Sequence, residues 1–291
     1  MGNIIDTIGN TPLVEITRFH NNPKVKLYAK LEGNNPGGSV KDRAALNMIR
    51  SAIERGEIKK GDKLIEATSG NTGIALAMIA SMFGMELELV MPSNSTRERT
   101  LTMEAFGAKV TLLENMEVCR DYAEEKAAKE GVYILNQFAN PDNYLAHVKS
   151  TGPEIWRDTN GTITHFVSAM GTTGTIMGTS MYLKEQNSSI QIIGCQPTEE
   201  SSIPGIRRWS PSYLPKIFDA SRVDRVIDIA QKDAESKTRA LARVEGVFAG
   251  MSSGGAFHAA LQVVNEIEEG VVVFIVCDRG DRYLSSTLFG A

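Results

Sequence analysis

A lysine and three clusters of small, hydroxyl-bearing residues are the parts of this sequence that could do chemistry. Lys41 lies in PGGSVKDR (36–43), just ahead of a helical pattern over 44–55. By itself such a segment reads more often as a solvated lysine near a helix N-terminus. The functional reading is an amine whose pKa falls at a loop–helix junction, so that it can attack a carbonyl. The Gly-x-x-x-x-Gly-Lys-Ser/Thr spacing of a phosphate loop is absent. TSGNTG (68–73) follows a strand-like run and precedes a helical one. It is either a capped strand-to-helix turn or an anion site, where hydroxyls and free N–H groups meet a helix dipole. Glu66, just before it, would repel an anion unless the strand's pleat turns it away. GTTGT (171–175) sits in the same kind of position and suits a phosphate. Its glycines lack the Gly-x-Gly-x-x-Gly spacing of a dinucleotide loop. GMSSGGA (250–256) is a third small-residue turn, either a capped helix entry or a pair of serines offered to a ligand.

The elements that must position these groups alternate. Strand-like runs at 63–67, 87–91, 110–113 and 132–135 are separated by helical patterns at 73–83, 96–106 and 118–129. Strands spaced by helices of this length indicate βαβ units and a parallel sheet. The polar stretch NQFANPDNY (136–144) interrupts the pattern, which restarts with a helix over 146–158 and a strand over 164–168. Helices over 174–186, 233–245 and 254–267 follow, with strands over 190–195 and 226–230. The run 271–277 is almost purely β-branched, as a strand buried on both faces requires. Two α/β units meeting near 136–146 are expected, with a ligand cleft between them.

Composition narrows the function classes. The 291 residues are 42% hydrophobic and 23% charged, ordinary for a globular protein. With 31 basic and 35 acidic side chains the formal charge is −4, so nucleic acid is not an expected partner. The 3 cysteines, Cys119, Cys195 and Cys277, are far apart, and no Cys-x-x-Cys or His-x-x-x-His occurs. Neither a disulfide framework nor a structural metal site is expected. No run approaches the ~20 apolar residues of a membrane span, and residues 1–13 carry no basic, apolar leader pattern. A cytoplasmic protein with no membrane partner is expected.

One phosphate, one carboxylate and one aldehyde would together account for GTTGT, TSGNTG and Lys41. That combination describes pyridoxal phosphate (PLP) with an amino-acid substrate. The sequence also resembles the cysteine synthase (O-acetylserine sulfhydrylase) group of PLP enzymes, its B-type branch most closely. The resemblance is carried by IGNTPL (8–13), KLEGNNPGGSVKDRAA (30–45), EATSGNTGIALA (66–77), NQFANPDN (136–143) and GTTGT. It continues through SSIPGIRRW (201–209), GMSSGGA and CDRGDRYLS (277–285), in order over nearly the whole chain.

The resemblance implies two α/β domains with mostly parallel sheets and PLP between them, the tryptophan synthase β-like arrangement of fold type II. It implies a smaller, mobile domain over 36–146, and a larger one built from 1–35 with 147–291. It implies a homodimer that makes cysteine from O-acetylserine and sulfide by β-replacement. Carried over by position, Lys41 bonds the cofactor's aldehyde and Asn71 meets its ring hydroxyl. Gly171, Thr172, Thr173, Gly174 and Thr175 hold its phosphate. Ser252, chosen over Ser253, faces its ring nitrogen. Thr68, Ser69, Gly70, Thr72 and Gln137 hold the substrate carboxylate. The B-type pocket, which accepts thiosulfate as well as sulfide, maps to Arg207, with Arg208 in reserve and Cys277 lining it. Cys277 also ends the 271–277 run, the end at which open α/β sheets bind ligands. An O-phosphoserine-using synthase, another lyase of this fold such as a serine or threonine dehydratase, and a catalytically dead binding protein are the competing readings. A nucleotide-dependent reductase fails for want of its glycine fingerprint.

Overall fold

A computed structural model describes residues 2–68, 70–93 and 95–290. Strands β1 (Leu13–Glu15) and β2 (Val25–Leu31) come first, followed by helix α1 (Lys41–Glu54). Then come β3 (Lys63–Ala67), α2 (Asn71–Met82), β4 (Glu86–Pro92), α3 (Arg97–Ala105), β5 (Lys109–Leu113), α4 (Met116–Glu130) and β6 (Tyr133–Ile134). Helices α5 (Pro141–Lys149) and α6 (Thr151–Asp158) lead to β7 (His165–Ala169), α7 (Gly174–Gln186), β8 (Gln191–Pro197) and β9 (Arg225–Ile229). The chain closes with α8 (Gln231–Ala240), α9 (Met251–Glu266) and β10 (Gly270–Val276).

The strands form two sheets. One has four strands in the order β5-β4-β3-β6, and the other has six in the order β1-β2-β10-β7-β8-β9. Every pairing is parallel except β1 with β2. The β-branched run lies where such a run must: β10 sits between β2 and β7, and residues 272–275 have no exposed surface. Each sheet is covered on both faces, as parallel sheets require. Phe257 and Leu261 of α9 pack on one face of the larger sheet, and Ile176 and Leu183 of α7 on the other. Helix α2 is apolar almost all round and buried from Thr72 to Ala80, the signature of a helix enclosed in a core.

Five helix boundaries depart from expectation, two of them for visible local reasons. Helix α1 starts at Lys41 itself, so the lysine is the first residue of a helix and not part of a preceding loop. GMSSGGA is the start of α9, not a turn before it. The single helix expected over 146–158 is two. Ser150 leaves the helical region, and its Oγ bonds back to Ala146 O at 2.6 Å, a side-chain bond that competes with the helix ladder. Helix α5 begins earlier than expected because Asn140 caps it, accepting from Asp142 N–H, and Pro141 fits its first turn. Helix α8 stops at Ala240 and passes into a π-type turn over Leu241–Glu245.

Among the described residues, no helix is long and apolar enough to cross a membrane.

Candidate active site

The residues just after β10 tie three helix starts together. Val40 donates its N–H to Cys277 O at 2.8 Å, and Ser39 makes an antiparallel bridge with Asp278. Gly250 N–H reaches Asp278 O at 3.3 Å, and Ala249 bridges Arg279. Asn71, at the start of α2, donates to Asp278 Oδ2 at 2.7 Å. Arg282 donates both to Asn71 Oδ1 and to Gly37 O. The N-termini of α1, α2 and α9 therefore converge on one segment. Their helix dipoles add there, in favour of an anion or an electron-rich group.

Lys41 occupies that junction. Burial pushes its ammonium below the usual lysine value, while Cys277 and Asp278 pull it the other way. A desolvated lysine holds more of its neutral, nucleophilic form near neutral pH. The next residue, Asp42, accepts from Gly37 N–H, and burial pushes its carboxyl up to about 7. Its Oδ1 is buried without a partner.

The expected carboxylate-binding residues gather at the end of β3. Thr68 is buried, and its Oγ1 accepts from Gly70 N–H at 3.3 Å. Thr72 donates its hydroxyl to Gln137 Oε1 at 2.7 Å. The Gln137 amide reaches back to Ala67 O at 3.4 Å. Ser69, expected in the same group, lies outside the described residues.

GTTGT leads from the end of β7 into α7. A Cβ on Gly171 would come 2.6 Å from Gly205 O, and one on Gly174 would come 2.0 Å from Asn143 Oδ1. Only glycine fits either place. Thr173 takes a left-handed φ of +72°, a strained conformation for a threonine, and its Oγ1 is buried with no partner. Thr172 Oγ1 accepts from Asn143 Nδ2 at 3.1 Å. Thr175 lies 3.4 Å from His147 Nε2, and His147 Nδ1 is 2.8 Å from the Thr151 hydroxyl. Burial holds His147 down at about 3, so this imidazole stays neutral.

The two serines of α9 differ. Ser253 Oγ is taken by Cys277 N–H at 2.9 Å. Ser252 lies beside Gly205 and bonds the Cys277 thiol, which burial pushes up to about 12.

The two arginines differ as well. The backbone of Arg207 is anchored to Met170 O at 2.9 Å, and burial lowers its pKa, helped by the nearby charge of Arg99. Arg208 is turned elsewhere: its Nε donates to Pro197 O at 2.8 Å, and it pairs with Asp228 on β9. Arg208 still lines one cavity with Arg207, but its guanidinium is engaged by Pro197 O and Asp228. Trp209 Nε1 donates to Gly171 O at 2.8 Å, fixing the 201–209 stretch against the GTTGT turn.

Several residues at the site have no motif to announce them. Arg99 lies 3.1 Å from where a Gly70 Cβ would be, with its guanidinium 5.2 Å from the centre of the Tyr283 ring. Asn143 joins Thr172 to Gln137 O. Asp278 is expected beside Cys277 at the ligand-binding end of the central strand, whereas Arg282 stands in the quoted CDRGDRYLS block with no rule that points to it.

The site's own features bear on whether it fits PLP. An unpartnered threonine hydroxyl stands at a helix N-terminus beside two glycines that admit no side chain, as a phosphate requires. A desolvated amine and a neutral serine hydroxyl complete the donor set. These residues fit the group. The family profile described as "Pyridoxal-phosphate dependent enzyme" matches residues 4–278. The chain belongs to this family. It is 59% identical to cysteine synthase B of Pseudomonas aeruginosa over 289 residues, covering 98% of this chain and 97% of that protein. It is 57% identical to cysteine synthase B of Escherichia coli, covering 100% and 97%. Among solved structures, the cysteine synthase of Entamoeba histolytica matches with a TM-score of 0.94 at 38% identity, covering 100% of this chain and 91% of that one. An O-ureido-L-serine synthase matches with a TM-score of 0.94 at 34% identity, covering 99% and 95%. The likenesses span both sheets, so the family's fold type II architecture is that of this chain.

Proposed function

We propose that this chain condenses O-acetyl-L-serine with sulfide to give L-cysteine and acetate, and that it also takes thiosulfate to give S-sulfocysteine. The observation that carries the reading is the desolvated Lys41 amine, fixed at the junction of three helix N-termini. Likeness to two cysteine synthases B over nearly the whole chain supports the substrates. The residues of the site would divide as the resemblance implies. The 171–175 turn holds the phosphate, Asn71 meets the ring hydroxyl, and Ser252 meets the ring nitrogen. Ser253 is already engaged by Cys277 N–H, which supports Ser252 for that role. Thr68, Ser69, Gly70, Thr72 and Gln137 take the substrate carboxylate. The 36–146 segment forms the smaller lobe, against 1–35 with 147–291. The resemblance also supports a homodimer in the cytoplasm, and sedimentation checks the dimer.

Bound PLP supplies the electron sink that lets the Cα proton and the Cβ substituent leave. The chain supplies the rest. Lys41 Nζ takes the Cα proton while acetate departs from Cβ, and it returns that proton to Cα once sulfur has bonded to Cβ. The Ser252 hydroxyl places no negative charge beside the ring, so the sink stays moderate and loss of the β-substituent is favoured over side reactions. Burial of the cleft keeps water from the reactive carbon. Assaying cysteine from O-acetylserine and from O-phosphoserine, each with sulfide, tests the reading. Faster turnover of the phosphorylated substrate would replace the assigned leaving group.

The thiosulfate half of the reading rests on charge. Arg99 is close enough to disfavour the charge on Arg207, and a dianion relieves that repulsion. Arg207 is the residue assigned to the sulfonate-like end, with Cys277 lining the pocket. Losing one charge-assisted contact costs roughly 1.5–3 kcal/mol, or about tenfold to over a hundredfold in efficiency. Arg207→Ala is therefore expected to lose S-sulfocysteine synthesis by that factor while keeping most cysteine synthesis from sulfide. Equal losses with both donors would make the arginine structural, and an unaltered enzyme inert toward thiosulfate would remove the second activity.

A further inference from the structure

Glu66 puts a negative charge next to the segment assigned to a substrate carboxylate. It stands on β3 just before Thr68, and it is 2% exposed. Its side chain does not face the TSGNTG donors. Oε2 accepts Asn136 N–H at 3.0 Å, and Oε1 accepts Gln137 N–H at 3.3 Å. Asn136 holds a left-handed φ of +54°. A residue in that conformation can turn successive N–H groups to one side, forming a concavity that takes an anion. Here the anion is the chain's own.

The turn so held carries Gln137. Its side chain accepts from Thr72 and donates to Ala67 O, and its carbonyl accepts from Asn143 at 2.7 Å. Burial pushes the Glu66 carboxyl up to about 7. The N–H groups of Gln137, Asn136 and Leu135 and the charge of Arg120 pull it down. Arg120 and Glu124, both on α4, line a small cavity with Glu66.

We infer that Glu66 is a positioning residue: its two carboxylate oxygens pin the Asn136–Gln137 turn, so that Gln137 meets Thr72 as a ready-made receiver for the α-carboxylate of an amino-acid substrate. The inference rests on the reading of Gln137 and Thr72 as carboxylate-binding residues. It also accounts for how a glutamate is tolerated there. Its charge is absorbed by the backbone N–H groups of Asn136 and Gln137.

The test uses the PLP-loaded enzyme and two non-reacting probes, L-alanine and L-alaninamide, which differ in the carboxylate. Binding is read from the cofactor's visible absorbance. Glu66→Gln keeps the size of the side chain but turns an NH2 toward one of the two N–H groups. It is expected to weaken L-alanine about tenfold and to leave L-alaninamide nearly unchanged. Because Glu66 acts through Gln137, the double variant Glu66→Gln/Gln137→Ala should bind L-alanine no more weakly than Gln137→Ala alone. Equal weakening of both probes, or additive effects in the double variant, would overturn the inference. Normal L-alanine binding by Glu66→Gln beside a defective Gln137→Ala would overturn it alone. Normal binding by Gln137→Ala would overturn it together with the role given to Gln137. If Glu66→Gln does not fold, Glu66→Asp enters the same comparison. Its carboxylate cannot reach both N–H groups on a shorter arm, so the same probe-selective loss is expected.

Discussion

Replacing Lys41 by alanine slows cysteine formation by at least about 10²–10⁴-fold, the share that a positioned base supplies. In the unaltered enzyme, borohydride fixes the cofactor to Lys41, as peptide mapping will read. The contrast with Lys30 makes this a sharp test. Lys30 is more deeply buried, with no exposed surface, but its Nζ is held by Glu154 at 2.8 Å, Asp158 at 3.2 Å and Thr11 O at 2.7 Å. Lys41 has only the attraction of Cys277 and Asp278 against its desolvation. A label on Lys30, or an alanine variant within about tenfold of the original rate, would end the assignment of Lys41.

Arg43→Met destabilises the protein by about 3–5 kcal/mol, the cost of stranding buried charges. Arg43 follows Lys41 by two residues, in the first turn of α1, and is 3% exposed. Its guanidinium grips Glu32 at 2.7 and 2.8 Å and Glu154 at 2.6 and 2.8 Å. The Thr11 hydroxyl and the Asn35 amide complete the shell around Glu32. Without the guanidinium, buried Glu32 loses its ion-pair partner and Glu154 keeps only Lys30. Urea unfolding measures the loss, and a change under about 1 kcal/mol would mean that the network contributes little.

The pH dependence has a definite sign. Desolvation works against the charged form of Glu154, but Arg43 and Lys30 outweigh it and hold its pKa at about 2, against an ordinary 4.5. Glu32 is also lowered. A depressed carboxylate stabilises the fold fully above its unfolded pKa, and that contribution is lost as pH falls through the folded value. The gap between Arg43→Met and the original protein is therefore widest at neutral pH, and it narrows as pH drops from about 4.5 toward 2.

How much was legible in the sequence depended on how local the cause was. TSGNTG and GTTGT each join the end of a strand to the start of a helix within a few residues, so composition and position marked them as candidate anion sites. The central strand was legible because burial on both faces demands a β-branched run. The start of α1 was misplaced, because the bonds that fix it come from Cys277 and Asp278, far along the chain. Arg208 looked equivalent to Arg207 because they are neighbours. What separates them is Asp228 on β9, a partner that adjacency cannot reveal. Glu66 looked like an obstacle to an anion until the N–H groups of Asn136 and Gln137 accounted for its charge. In each of these cases the deciding atom lay outside the motif.

Strand β2 is paired along its whole length with β10, from Val25 opposite Gly270 to Leu31 opposite Val276. During synthesis the ribosome delivers the β1–β2 hairpin long before its permanent neighbour. Meanwhile all four strands of the smaller sheet, β3 to β6, emerge as one uninterrupted block. The nascent chain must therefore carry an open, largely apolar strand edge while residues 32–269 are made. Such an edge is a template for wrong pairing and a target for chaperones. The same last strand delivers Cys277 and Asp278, to which the N–H of Val40 and the backbone of Ser39 are bonded. Assembly of the reactive centre is thereby postponed until β10 and the residues after it have emerged.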